Sequence, residues 1–103
     1  MQKIKELVGM IKEEIEGSED YIDLALKMKM DDRKKADVFA KLSDDEMGHV
    51  MALHTMVVEI IADYRKENGE PPKEMMIIWD YEHKNIIEEV NDIKLKQMMY
   101  KQG

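Results

Sequence analysis

Cysteine is absent from the 103 residues, which removes disulfide frameworks, thiolate metal sites and cysteine nucleophiles from consideration. Two prolines and five glycines are too few for a collagen-like rod or a flexible linker. No apolar run approaches the ~20 residues that span a bilayer. The charged start, MQKIKELVGM, does not read as a secretion signal, so a soluble cytoplasmic protein is expected, with no membrane partner. Basic residues are the minority charge: 16 Lys and Arg against 23 Asp and Glu give a net charge of −7, a poor match to phosphate backbones. The one dense basic run, Arg33-Lys34-Lys35, is short, follows Asp31 and Asp32, and reads as a solvated helix start, so no nucleic-acid partner is expected. Ser18, Ser43 and Thr55 lack the loop setting of a hydrolase nucleophile, and there is no Gly-rich phosphate loop.

What is present is helical periodicity. Apolar residues are 44% of the chain and charged residues 38%, a balance that excludes a disordered tail. In the first segment, about 3–29, Ile4, Val8, Ile11, Ile15, Ile22 and Leu26 fall on one face at ~100° per residue. Asp31 and Asp32 offer N-cap oxygens to a second segment, about 32–68, whose main stripe is Phe39, Leu42, Leu53, Val57, Ile60 and Tyr64. Asn68-Gly69 and Pro71-Pro72 end it. A third segment, about 72–100, carries Met76, Trp79, Ile86, Ile87, Val90 and Ile93. No stretch alternates long enough for a strand. The expected fold is all-α, a single domain over 1–103, an antiparallel three-helix bundle with short connections.

Two features of the second segment bear on its shape and partners. Ser43-Asp44-Asp45-Glu46 has the form of a capping box, which would break the helix; Phe39 and Leu42 stay in phase with His49 and Leu53 across it, which favours one helix, kinked near Gly48. A second seam, Met47, Met51, His54, Val58 and Ile61, lies beside the main stripe. A central helix of a three-helix bundle would use both seams, and so would a homodimer that completes a four-helix bundle. With 11 methionines, whose side chains fit exchangeable contacts, the dimer is the expectation.

The chemically informative residues are polar groups set on these stripes. Glu46 and His49, spaced Glu-x-x-His, lie one helical turn apart on the same side; a carboxylate there must be paired, hydrogen-bonded or bound to a cation. Asp80 and His83 repeat the pattern in the third segment, and Glu14 sits at the edge of the first stripe. Helix-bundle di-metal sites are built from such Glu-x-x-His pairs. Plainer readings also stand: Glu46 closing its capping box, His49 bonding Tyr64, Asp80 with His83 as a neutral core pair, and His54 as a boundary residue.

With Glu14, Gly17 and Tyr21 on one helix, Glu46-x-x-His49 on the next and Asp80-x-x-His83 on the third, the chain resembles the ferritin-like superfamily, especially its short rubrerythrin-like members. It is similar in layout to small ferritin-like proteins of phages and prophages. The resemblance implies a pair of iron ions, or of manganese or zinc, bridged by Glu46, with Glu14 and Asp80 as terminal carboxylates and His49 and His83 each on one metal. It implies metal-centred oxidation, with Tyr21 orienting a ligand. The chain departs from the family pattern in having three helices where a full bundle has four, and five candidate ligands where a full site has six. A second subunit, water, or a vestigial site would account for the difference. The rival expectation is a non-catalytic interaction module that holds no metal and dimerises through the Met-rich seam.

Overall fold

The computed structural model describes residues 2–102. Three helices account for nearly all of them: α1 (Gln2–Met28), α2 (Arg33–Asn68) and α3 (Lys73–Gln102). The ends follow from local chemistry. The Asp32 side chain accepts from the Lys35 N–H at 3.1 Å and caps α2. At the other end Gly69 takes φ = +81°, which L-residues with a Cβ rarely adopt, and its N–H donates to the Arg65 carbonyl. The capping-box sequence does not interrupt α2, because the Ser43 side chain is engaged elsewhere.

Cross-helix contacts fix the topology. Ser18 meets Ser43 and Tyr21 stacks on Phe39, so α2 runs antiparallel to α1. Lys12 pairs with Glu82, Lys96 with Glu19 and Asp23, and Lys29 with the Tyr100 carbonyl, so α3 runs back alongside α1. The result is an up-down-up bundle 55 Å long and 17–19 Å across. The closest pairing is α1 with α2, and the loosest is α2 with α3.

The core explains that inequality. Ile4, Leu7, Ile11, Ile15, Ile22 and Ala25 of α1 face Ala36, Ala40, Met47, Val50, Val57 and Ile61 of α2, with Trp79, Ile86, Val90, Ile93 and Tyr100 from α3. Short side chains (Ser18, Ala25, Ala36, Ala40, Ser43) recur where α1 and α2 meet, letting their backbones approach. There the Ser18 hydroxyl donates to the Ser43 carbonyl (2.9 Å) and the Ser43 hydroxyl to the Ser18 carbonyl (2.8 Å). The Gln97 amide of α3 donates to Ser43 Oγ at 3.0 Å, so one buried polar layer ties all three helices. Among the described residues no buried side-chain polar atom lacks a partner.

The stripe expected on α2 is displaced by part of a turn. Phe39, Leu42, Leu53, Ile60 and Tyr64 are half-buried at its border, and the core instead passes through Ala36, Ala40, Ser43 and Met47. Counting large apolar residues missed the alanines and serines of the tight α1–α2 seam. The proposed dimer seam is divided by the same shift. Met47 and Ile61 are buried in this chain's own core and His54 faces α3, while Met51 and Val58 stay about half exposed.

Replacing Ser43 by Ala strands the buried Gln97 amide and removes one of the two reciprocal serine bonds. Urea unfolding is expected to show a loss of about 1–3 kcal/mol. Thr55→Ala, which removes only a local bond to the Met51 carbonyl on an exposed face, should stay within about 0.5 kcal/mol of the parent. Equal effects would mean that the serine layer does not hold the helices together.

Candidate metal centre

Antiparallel pairing of α1 and α2 about the serine layer sets what lies one turn away. Moving from Ser18 towards the N-terminus of α1 reaches Glu14; moving from Ser43 towards the C-terminus of α2 reaches Glu46 and then His49. These three side chains converge, with one ligand atom from each lying within 4.8 Å of the others. His49 Nδ1 is 3.2 Å from Glu14 Oε2 and 3.8 Å from Glu46 Oε1. Residues 32 and 35 positions downstream of Glu14 are thus brought to its carboxylate by helix pairing alone.

Gly17 makes room for this. A Cβ built there would lie 3.3 Å from Glu46 Oε2 and 3.7 Å from its carboxyl carbon, so a side chain would crowd the carboxyl group. The Glu46 carboxyl therefore lies against the α1 backbone. That cradle is a feature of the site which the spacing of acidic and histidine residues did not disclose.

The electrostatics are those of two acids in contact. A hydrogen bond with Glu14, then burial and the Glu14 charge, push the Glu46 carboxyl above the ordinary carboxylate range. The same hydrogen bond, supported by His49, holds Glu14 below it. The two carboxyl groups are thus pushed apart in acidity, as carboxylates in contact are. Two carboxylate oxygens and an imidazole nitrogen this close together are donors of the kind that hold a divalent cation. Ligand distances of ~2.0–2.2 Å put donors on one ion roughly 3–4 Å apart, so modest side-chain rotations close the set. Two carboxylates with one imidazole and no thiolate suit Fe(II), Mn(II) or Zn(II).

The other two expected ligands lie elsewhere. Asp80 is exposed on α3 and has no place in the cluster. His83 stacks on Trp79, with ring centroids 5.1 Å apart, and its Nε2 is 2.8 Å from Nε2 of His54. The five expected ligands do not assemble within one chain because α3 faces α2 from the side opposite Glu46 and His49. His54 had been read as a boundary residue; its pairing depends on the register of α3 against α2, which no local pattern reports. His49 bonds Glu14 and not Tyr64, and Tyr21, expected to orient a ligand, packs on Phe39 with ring centroids 6.1 Å apart. A cleft of about 510 Å³ between the N-terminal halves of α1 and α3 is mainly apolar, with Ile4, Val8, Met75 and Trp79 on its walls and the Lys12–Glu82 pair at its edge.

No protein-family model, curated protein or solved structure gives a match to this chain. The resemblance to ferritin-like proteins therefore rests on the sequence motifs alone.

The His54–His83 contact has its own consequence for pH. Burial, then the neighbouring His83, hold His54 below the ordinary imidazole value, and Lys94 lines the same groove. The folded state keeps His54 neutral and the unfolded chain takes the proton more readily. Its contribution to stability is complete above the ordinary value of ~6.5 and declines as pH falls below it. Thermal melts from pH 7.5 to 5.5 should show a steeper drop in Tm for the parent than for His54→Leu/His83→Leu. Parallel slopes would contradict the assignment.

Proposed function

We propose that this chain is a ferritin-like metal-binding protein in which Glu14, Glu46 and His49 hold a first-row divalent cation. Iron is the first choice and manganese or zinc the alternatives. The observation that carries the reading is the convergence of these three ligands from two helices, with the Glu46 carboxyl seated against Gly17. Bound iron would supply one-electron redox chemistry towards dioxygen or peroxide. The protein's part is narrower and follows from its residues. Glu14 and Glu46 give oxygen donors from two helices, and His49 gives a nitrogen from the solvent side. Tyr21, on Phe39, forms an apolar wall beyond Gly17. Asp80 and His83 have no role in this set.

A non-catalytic interaction module is the second reading. What favours it is the openness of the cluster: the His49 side chain is 60% exposed, and three ligands leave half of an octahedral ion's positions to water. No helix among the described residues is long and apolar enough to cross a membrane, which suits either reading.

Elemental analysis after anaerobic Fe(II) loading and desalting tests the choice. The parent should retain about one ion per chain and Glu46→Ala/His49→Ala almost none, with unchanged helical circular dichroism. Equal retention in both would overturn the assignment, and no retention in either would favour the interaction module. Gly17→Ala supplies a finer test. Removing a mid-helix glycine raises helix stability by up to ~1 kcal/mol, while the added Cβ displaces the Glu46 carboxyl. Tm should therefore rise as metal retention falls. A stabilised variant that binds metal as well as the parent would show that the cradle is immaterial to the site.

A further inference from the structure

The chain has three histidines, and two of them meet across the α2–α3 contact. The Nε2 atoms of His54 and His83 are 2.8 Å apart, whereas the ring centroids are 4.8 Å apart and the ring planes differ by 24°. The rings therefore meet tip to tip, one nitrogen donating and the other accepting. Trp79 closes one side of the pair, its ring centroid 5.1 Å from that of His83 and 6.0 Å from that of His54. On the other side a groove of about 250 Å³ reaches the rings, with Met51, Ile87, Asn91 and Lys94 among the residues lining it. Met51 stands one turn before His54 on α2, so a thioether and two imidazoles share one groove. No carboxylate lines it.

We propose that His54, His83 and Met51 form a Cu(I) site in this groove. It shares no residue with the Glu14–Glu46–His49 cluster and does not rest on that reading. The donor chemistry selects the ion. Imidazole nitrogen suits copper, and a thioether favours its reduced form, whereas manganese and magnesium seek the carboxylates this groove lacks. Charge points the same way: with Lys94 on the wall and no acid to balance it, a monocation is less costly here than a dication. Zinc is held by four donors in structural sites, usually with thiolates, while Cu(I) is satisfied by two or three. The geometry needs little change. Metal–imidazole bonds of ~2.0 Å place two nitrogens ~4 Å apart at most, so the rings need to part by no more than about 1.2 Å. They lie between α2 and α3, the loosest pairing in the bundle. Both Nε2 lone pairs must face the ion, so the ring that donates transfers that proton to its own Nδ1 through water. No proton is lost and both rings stay neutral.

Anaerobic titration of untagged protein with ascorbate-reduced copper, in competition with the chromogenic chelator bicinchoninate, tests the site. Trp79 is the only tryptophan and lies against His83, so its fluorescence reports occupancy in the same titration. The parent should take about one Cu(I) per chain, with a change in Trp79 emission that saturates at that ratio. His83→Gln should lose both signals while keeping its helical circular dichroism. Met51→Leu, which keeps the bulk of a half-exposed side chain and removes only the sulfur, should fold as the parent and bind roughly tenfold more weakly. Glu46→Ala/His49→Ala should bind Cu(I) as the parent does, which separates this site from the other cluster. Failure of the parent to take Cu(I) would overturn the proposal, leaving the histidines as a hydrogen-bonded pair. So would Cu(I) uptake that leaves Trp79 unchanged, as expected of binding at exposed methionines. Affinity undiminished in Met51→Leu would overturn the assignment of the thioether as a ligand.

Discussion

The close approach of α1 and α2 is the constraint on which the rest of the structure depends. It is set by the reciprocal Ser18–Ser43 hydrogen bonds and by the small residues around them. Two buried hydroxyls, each donating to the other helix's carbonyl, have one satisfied arrangement, so the layer fixes register as well as separation. Gln97 extends the same layer to α3. One turn further along, that register places Glu14 opposite Glu46 and His49, and the absence of a side chain at Gly17 lets the carboxyl groups meet. The site is thus a by-product of the packing that builds the bundle, held by rigid helices with no loop involved.

That placement is electrostatically unsettled. The Glu14 and Glu46 carboxyl groups lie in contact, with Glu46 shifted up and Glu14 down. His49, whose side chain is 60% exposed, faces the pair from the solvent side. In contrast, the polar groups inside the bundle are fully partnered: the serine layer, the Tyr100 hydroxyl on Asp37, and His54 on His83.

Much of the fold was legible in the sequence. Helix ends were marked by Asp32, Gly69 and the prolines, and apolar periodicity sufficed for three helices and no strands among the described residues. The Glu46-x-x-His49 pair and Glu14 were legible too, since acids on the border of an apolar stripe are costly without partners. What could not be read was lateral register. Asp80-x-x-His83 matches the motif as well as Glu46-x-x-His49 does, yet it faces another side of the bundle, because the turn at 69–72 sets how α3 rotates against α2. The α2 core stripe was misplaced for a related reason: alanine and serine carry little hydrophobic signal although they lie at the closest helix contact.

The central claim is that Glu14, Glu46 and His49 together hold a divalent cation. Anomalous X-ray scattering at the iron edge, from crystals grown anaerobically with Fe(II), addresses it atom by atom. The account predicts an anomalous peak between the Glu14, Glu46 and His49 side chains, with the two carboxyl groups rotated onto it. Carboxyl groups still in mutual contact with no peak between them, or a peak at His54 and His83 alone, would contradict it.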